Sequence, residues 1–468
     1  MTADPDARLP GSFRDPAGFM FRRDGEFLRQ VNQSYESTFR TLMDSGLYAS
    51  LVDDGLLIPH ETVDPNLAAE PGAVAVLRPE QLTFVSYPFE WSFSQLKAAA
   101  LATLHVQRRA LDHGLSLKDA SARNIQLHAG RPMLIDTLSF EPYEPGYPWV
   151  GYRQFCQHFL APLAVMASTD ARLSGLLQSH LDGLPLDLAA RLLPWRSRLR
   201  TGLLMHLHLH SRAQARAASA SRKRADLAGR MSRRRLDALL DSLESTVRRI
   251  SWNPDDTPWA GYGDQTSYSG RALADKKRLV AEYLATVSVE SVWDIGGNTG
   301  DFSRLAAARG VSVVSIDSDP GAVDVNYRRM AAAGEANLIP IVADITNPSP
   351  SLGWDNREIA SLTARGPAGL VMALALIHHV AVGNNTGFDR LARFFAALGP
   401  KLLIEFVPPD DPMAVGLVAM RNHDFPWYTQ PEFESAFGRH FEVQRSDAIE
   451  DSKRRLYLMT ARREGDSE

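Results

Sequence analysis

The sequence predicts an α/β fold, with a mainly parallel seven-stranded sheet in the C-terminal half and a smaller α+β domain before it. Three observations predict it. A strand-like run, a glycine-rich turn, a helical stripe and a second strand follow one another from Val289 to Ile316. Further apolar runs of strand length come after them, separated by helical patterns, as βαβ units require. The N-terminal half instead opens on a hairpin-like stretch and carries one long helical segment.

In chain order, Gly18 to Val31 reads as the hairpin, Phe84 to Tyr87 as a strand leading into a hinge, and Phe93 to His113 as the helix. Leu117-Lys118-Asp119 and Asn124-Ile125 then precede an apolar strand, Pro132 to Ile135, that ends on Asp136. Residues 191–250 hold 15 Lys/Arg against 4 Asp/Glu, and they are rich in Ala, Leu, Ser and Arg without proline after Pro194. They read as a basic helical connector. Val289 to Trp293 is the first strand of the large sheet, followed by Asp294-Ile295-Gly296-Gly297-Asn298-Thr299-Gly300. Phe302 to Arg309 is helix, and Val311 to Ile316 is a strand ending on Asp317. Asp319-Pro320 suits a helix start, an N-cap followed by a residue with preset φ. Leu338 to Ala343 ends on Asp344. Gly369 to Leu376 is nearly continuous apolar sequence, as in a strand buried on both faces, and it runs into Ile377-His378-His379. Phe388 to Leu398 is a helical stripe, Lys401 to Phe406 is a strand carrying Glu405, and Phe441 to Val443 with Leu456 to Thr460 supply two late strands.

The glycines let the backbone approach a ligand, and an acid closing the second strand can accept both hydroxyls of a ribose. The spacing is not G-x-G-x-x-G. It resembles motif I of class I S-adenosylmethionine (SAM)-dependent methyltransferases, D-x-G-x-G-x-G, with Asn298 in place of the middle glycine. The resemblance covers residues 251–463 and implies a Rossmann-like sheet with SAM as cofactor. Asp294, Gly296, Gly297, Asn298 and Gly300 would form the cofactor turn, Asp317 would hold the ribose, and Asp344 would meet the adenine amine. The two late strands would form the antiparallel edge of the sheet. His378 and His379 follow the fourth strand, where the acceptor enters, and a neutral imidazole there can take a hydroxyl proton. Glu405, at a strand end, is the third catalytic candidate; it equally suits pairing with an arginine. Trp252, Trp259, Tyr262 and Tyr268, with Lys276 and Lys277 beyond, read as a lid in which an aromatic face could attract the sulfonium. The stretch Phe406 to Tyr428, with His423 and Trp427, lies where acceptor-specificity loops occur in this family.

In the N-terminal half, the spacing D-x-x-x-x-N followed by a strand and Asp resembles protein-kinase-like phosphotransferases over residues 15–210. That resemblance would give Asp119 the substrate hydroxyl, and Asn124 and Asp136 the metal. The pattern is degenerate. No His-Arg precedes Asp119, Thr137-Leu138 follows Asp136, and Lys97 is the first lysine of the chain, so the phosphate-clamping lysine is missing. Arg22, Arg23 and Arg29 are the available substitutes. The domains expected are 1–190 (kinase-like), 191–250 (connector) and 251–468 (methyltransferase).

The 468 residues carry a net charge of −4, with 44% hydrophobic residues, and Cys156 is the one cysteine, which excludes an intrachain disulfide. No apolar run is long enough to span a bilayer, so a cytoplasmic chain without a membrane partner is expected. His206, His208 and His210 bring no carboxylate or cysteine with them and are read as surface or interface residues; no metal is expected. The acceptor implied is a small molecule or a carbohydrate-type hydroxyl. Two other readings are a catalytically inert SAM-binding scaffold and a nucleic-acid methyltransferase that uses the basic connector.

Overall fold

The computed structural model describes residues 8–212, 231–254, 257, 268–419, 421 and 424–462. Trp259, Tyr262, His423 and the middle of the basic segment lie outside these residues. The chain divides into two units, Met1–Trp252 with Ser351–Ile359, and Asn253–Pro350 with Ala360–Glu468.

In the first unit, strands β1 (Gly18–Arg23) and β2 (Glu26–Asn32) pair antiparallel. Asp24 and Gly25 between them both have positive φ, 51° and 87°, the two-residue turn that matches strand twist. With β3 (His60–Val63) and β4 (Ala73–Pro79) they form a four-stranded sheet in the order β1-β2-β4-β3. Phe19, Phe21, Leu28 and Val76 pack together on it. The segment Phe84 to Tyr87, expected as a strand, has no strand partner. Its backbone is satisfied by side chains: Ser86 N–H donates to Gln126 Oε1 (2.9 Å) and Tyr87 N–H to Glu90 Oε2 (3.0 Å). The helix Phe93–Asp112 follows, and Gln95 closes its first turn by accepting from Ser92 N–H (2.7 Å). Strands β5 (Leu115–Leu117), β6 (Ile125–His128), β7 (Arg131–Leu134) and β8 (Phe140–Pro142) pair as β5-β8 and β6-β7 around Asp119, Asn124 and Asp136.

The described part of the basic segment is folded onto this unit. The helix Arg233–Arg249 buries Leu236, Leu240, Leu243 and Val247, a helical stripe, and Asp241 on it pairs with Arg108 (2.6 Å). Residues 195–209, in the segment expected to be helical, form a 3-10 turn, Trp195–Leu199, a short α turn, Thr201–Leu203, and a π turn, Leu204–Leu209. The histidines there correct the surface reading. His206 and His208 are buried, bonded to Tyr152 and Ser242 (2.9 Å each) and to Ser197 (2.8 Å), and His210 stacks on Tyr152 at 4.7 Å. Ser351–Ile359 joins the same unit. Glu358, only 3% exposed, is bonded by Arg14 (2.5 Å), Arg123 (3.4 Å) and the N–H of Trp354 (2.9 Å).

The second unit is built on one sheet of β9 (Ser291–Ile295), β10 (Ser312–Asp317), β11 (Leu338–Val342), β12 (Leu370–Ala373), β13 (Lys401–Phe406), β14 (Phe441–Ala448) and β15 (Arg455–Ala461). The order is β11-β10-β9-β12-β13-β15-β14, parallel from β11 to β13 and antiparallel at β15 and β14. Strand order reverses between β9 and β12, so a crevice opens beyond their carboxyl ends, where ligands of such sheets bind. β12 ends at Ala373, short of the expected Leu376. Ala375 adopts φ 51° and turns the chain into the helix Ile377–Ala381 that carries both histidines. Among the described residues, no helix is long and apolar enough to cross a membrane.

Candidate active site

The glycine turn closes the top of β9. Gly296 and Gly297 both donate N–H to the carbonyl of Ile316, at 2.8 and 3.0 Å, so the turn lies flat on β10. A Cβ on Gly297 would stand 2.4 Å from Ser315 Oγ, so any side chain there would have to displace the buried Ser315 hydroxyl. Asn298 sits at φ 47°, a conformation asparagine tolerates, and its Oδ1 accepts from Thr299 N–H at 2.7 Å. Asparagine therefore serves where the family motif has glycine.

Asp294 lies beneath the turn, where Ser303 donates to it at 2.6 Å. Asp317 receives Asn298 N–H on Oδ2 (2.8 Å) and Asp319 N–H on Oδ1 (2.9 Å), so the carboxylate is oriented by backbone on both oxygens. Burial pushes both Asp294 and Asp317 up to about 6, against these hydrogen bonds. Asp344 is exposed at the end of β11, and its Oδ1 accepts from Thr346 N–H (2.8 Å) and Oγ1 (2.7 Å).

These residues surround one cavity of about 390 Å³. Gly296, Asn298, Asp317 and Asp344 line it together with His379, and Leu374 and Leu376 add apolar wall. Asp294 and Gly297 also reach it; Gly300, His378 and Glu405 do not. His379 is held below the usual histidine range by burial and by the charge of Arg454, so it is neutral at pH 7. His378 stands behind it, with ring centroids 4.1 Å apart, 1% exposed, and neither ring nitrogen has a hydrogen-bond partner. Burial, then His379, Arg454 and Lys276, hold its pKa far down.

Glu405 is wholly buried in a network that sequence reading only touched. It accepts from Lys276 Nζ (2.6 Å), from the hydroxyl of Tyr268, from Arg454 Nη1 (3.5 Å) and from Ala375 N–H (2.7 Å). Arg454 in turn forks onto Asp411 at 2.7 and 2.9 Å. Every oxygen of Glu405 is engaged, and its bond to Ala375 helps hold the positive φ that ends β12. Charge–charge attraction from Lys276 and Arg454 outweighs burial and keeps it ionised. The ring of Tyr268 already faces two cations, Lys276 at 4.8 Å and Arg454 at 4.4 Å. Tyr268 and Lys276 also line the cavity.

In the first unit, Arg29 of β2 pairs with Asp136 at 2.6 Å, whereas Arg22 and Arg23 donate to the carbonyls of Gly25 and Leu67. Asn124 donates to Ser139 Oγ (3.2 Å), which is itself bonded to Asp136, and Asp119 accepts from Ser121 N–H (2.9 Å). Among the described residues, no group of three His, Cys, Asp or Glu side chains is arranged to hold a metal ion.

No protein-family model matches the chain. The nodulation protein NoeA of Rhizobium meliloti (strain 1021) is 34% identical over 458 residues, covering 96% of this chain and 95% of NoeA. Of solved structures, the magnesium protoporphyrin IX methyltransferase ChlM of Synechocystis PCC 6803 is 14% identical with a TM-score of 0.31, over 41% of this chain and 85% of ChlM. The bifunctional kinase-methyltransferase WbdD is 16% identical with a TM-score of 0.31, over 44% of each chain.

Proposed function

This chain belongs to the family of the nodulation protein NoeA, and on that premise we propose that its second unit transfers a methyl group from SAM to a hydroxyl of a small-molecule or carbohydrate-type acceptor. The observation that carries this reading is the single cavity shared by the glycine turn, Asp317, Asp344 and His379. Its volume falls in the range of cofactor pockets, and the donor set fits SAM. Asp317 offers an oriented carboxylate for the two ribose hydroxyls, Asp344 one for the adenine amine, and the absence of a side chain at Gly297 lets the turn lie close on β10 beneath the cavity. When bound, SAM supplies an electrophilic methyl group. The chain's part is to align the acceptor and remove its proton. His379, neutral and on the cavity wall, is the residue suited to accept that proton, while Glu405 holds the wall in shape.

The test is incubation of the full chain with methyl-labelled SAM and a low-molecular-weight cell extract. Label is expected in a base-stable ether, and His379→Ala is expected to lower turnover about 10²–10⁴-fold while SAM affinity, read by titration calorimetry, stays unchanged. SAM binding with no label transferred to any acceptor favours the inert scaffold. Label in RNA or DNA favours the nucleic-acid reading.

For the first unit we infer a kinase-like fold that transfers no phosphate. The Arg29–Asp136 ion pair supports this, because a guanidinium occupies the carboxylate that would otherwise hold metal. With labelled ATP, Mg²⁺ and cell extract no phosphate should move; transfer abolished by Asp119→Asn would make the chain bifunctional instead.

A further inference from the structure

We propose that residues 195–209 form a docking face for an anionic lipid bilayer. Trp195 is 67% exposed, Leu199 73%, Met205 45% and Leu209 46%. Large apolar side chains exposed elsewhere among the described residues are scattered along the sequence, but these four fall on two turns separated only by the short α turn Thr201–Leu203. Arg196, Arg198 and Arg200 are exposed between them, and no Asp or Glu occurs from Leu188 to Arg212.

The opposite side of the same turns is fixed. Ser197, His206, Leu207 and His208 are buried, and the Ser197–His208 hydrogen bond (2.8 Å) ties the 3-10 turn to the π turn. His206 bonds to Tyr152 and to Ser242 of the helix Arg233–Arg249. The outward residues are therefore presented from an anchored scaffold rather than a frayed end.

The mixture of side chains selects the occupant. A nucleic acid would pair its phosphates with the arginines but has no use for Leu199, Met205 and Leu209. A bilayer interface uses both sets: anionic headgroups take the arginines, the acyl boundary takes the apolar side chains, and tryptophan favours the level between them. The sequence predicts no membrane partner because no segment spans a bilayer, but a surface contact of this kind requires no spanning segment.

Co-sedimentation of the full chain with vesicles tests this. The chain should sediment with phosphatidylcholine vesicles containing phosphatidylglycerol, stay free with phosphatidylcholine alone, and lose binding as salt rises. Replacing Leu199 and Trp195 together by serine should weaken binding at least about tenfold, and each of Arg196→Gln and Arg198→Gln about fivefold. All four side chains are exposed, so circular dichroism should stay unchanged. Absence of vesicle binding, or binding indifferent to the apolar replacements, overturns the proposal. Binding of duplex RNA that depends on the arginines alone, without vesicle binding, would assign the face to nucleic acid.

Discussion

Asp317 shows how one residue's surroundings set the conditions under which a site works. Burial raises its pKa to about 6, as it does for Asp294, so the ionised form is disfavoured in the folded chain. The folded value lies above the ordinary carboxylate value. Each group therefore contributes its full stability below about pH 4 and loses roughly 2–3 kcal/mol of it as pH rises to about 6. Cofactor binding runs the other way, because the two sugar hydroxyls are held best by the carboxylate. SAM affinity is expected to rise about tenfold between pH 5 and pH 7 in calorimetric titrations, and Asp317→Asn should flatten the profile. A wild-type affinity independent of pH across that window would remove Asp317 from the binding role. His379, on the same cavity wall, is held below the ordinary histidine range by burial and by Arg454.

At the scale of elements, the end of β12 is set by a side chain from the neighbouring strand. Glu405 on β13 pulls the N–H of Ala375 at 2.7 Å, and Lys276 and Arg454 neutralise the charge that bond requires. Glu405→Gln leaves buried Lys276 without its carboxylate partner, while Arg454 keeps Asp411, and should cost about 3–5 kcal/mol in urea unfolding. Joint replacement by Glu405→Leu and Lys276→Met should recover part of that loss. A double variant as unstable as the sum of its singles would show that the two charges are not coupled. The same network marks where sequence reading stopped. The strand Lys401–Phe406 and the helix Phe388–Leu398 were legible to the residue, because their apolar spacing is local. The glycine turn, Asp317 and Asp344 were legible as a set from their places after strands. Arg454 and Asp411 carried no signal, being 43 residues apart in polar loops. Phe84 to Tyr87 misled because its extended backbone is satisfied by Gln126 and Glu90 rather than by a strand; in residues 195–209 the helical character was legible, but a helical composition does not distinguish α from 3-10 and π turns.

Over the whole molecule, neither unit is a single stretch of sequence. The chain leaves the second unit after Pro350, contributes Ser351–Ile359 to the first, and returns at Ala360. What Ser351–Ile359 delivers is Glu358, whose carboxylate receives Arg14, Arg123 and a backbone N–H while almost wholly buried. Arg123 lies between Asp119 and Asn124, so this carboxylate steadies the loop on which the kinase-like resemblance rests. Glu358 is held below the ordinary glutamate range; burial opposes this, and the hydrogen bond from Arg14 leads the groups that outweigh it. Its contribution is therefore present at neutral pH and fades as pH falls through the acid range. Arg14 is half exposed, which limits the pair, and about 1–3 kcal/mol is the expected loss for Glu358→Gln. Hydrogen exchange in the full chain reads this locally. Amides from Asp119 to Leu127 should exchange faster in the variant, while those of β9, β10 and β12 keep their wild-type protection. Unchanged exchange around Asp119 would mean that Ser351–Ile359 rests on the first unit without stabilising it. Faster exchange throughout both units would instead mark Glu358 as part of a single cooperative fold.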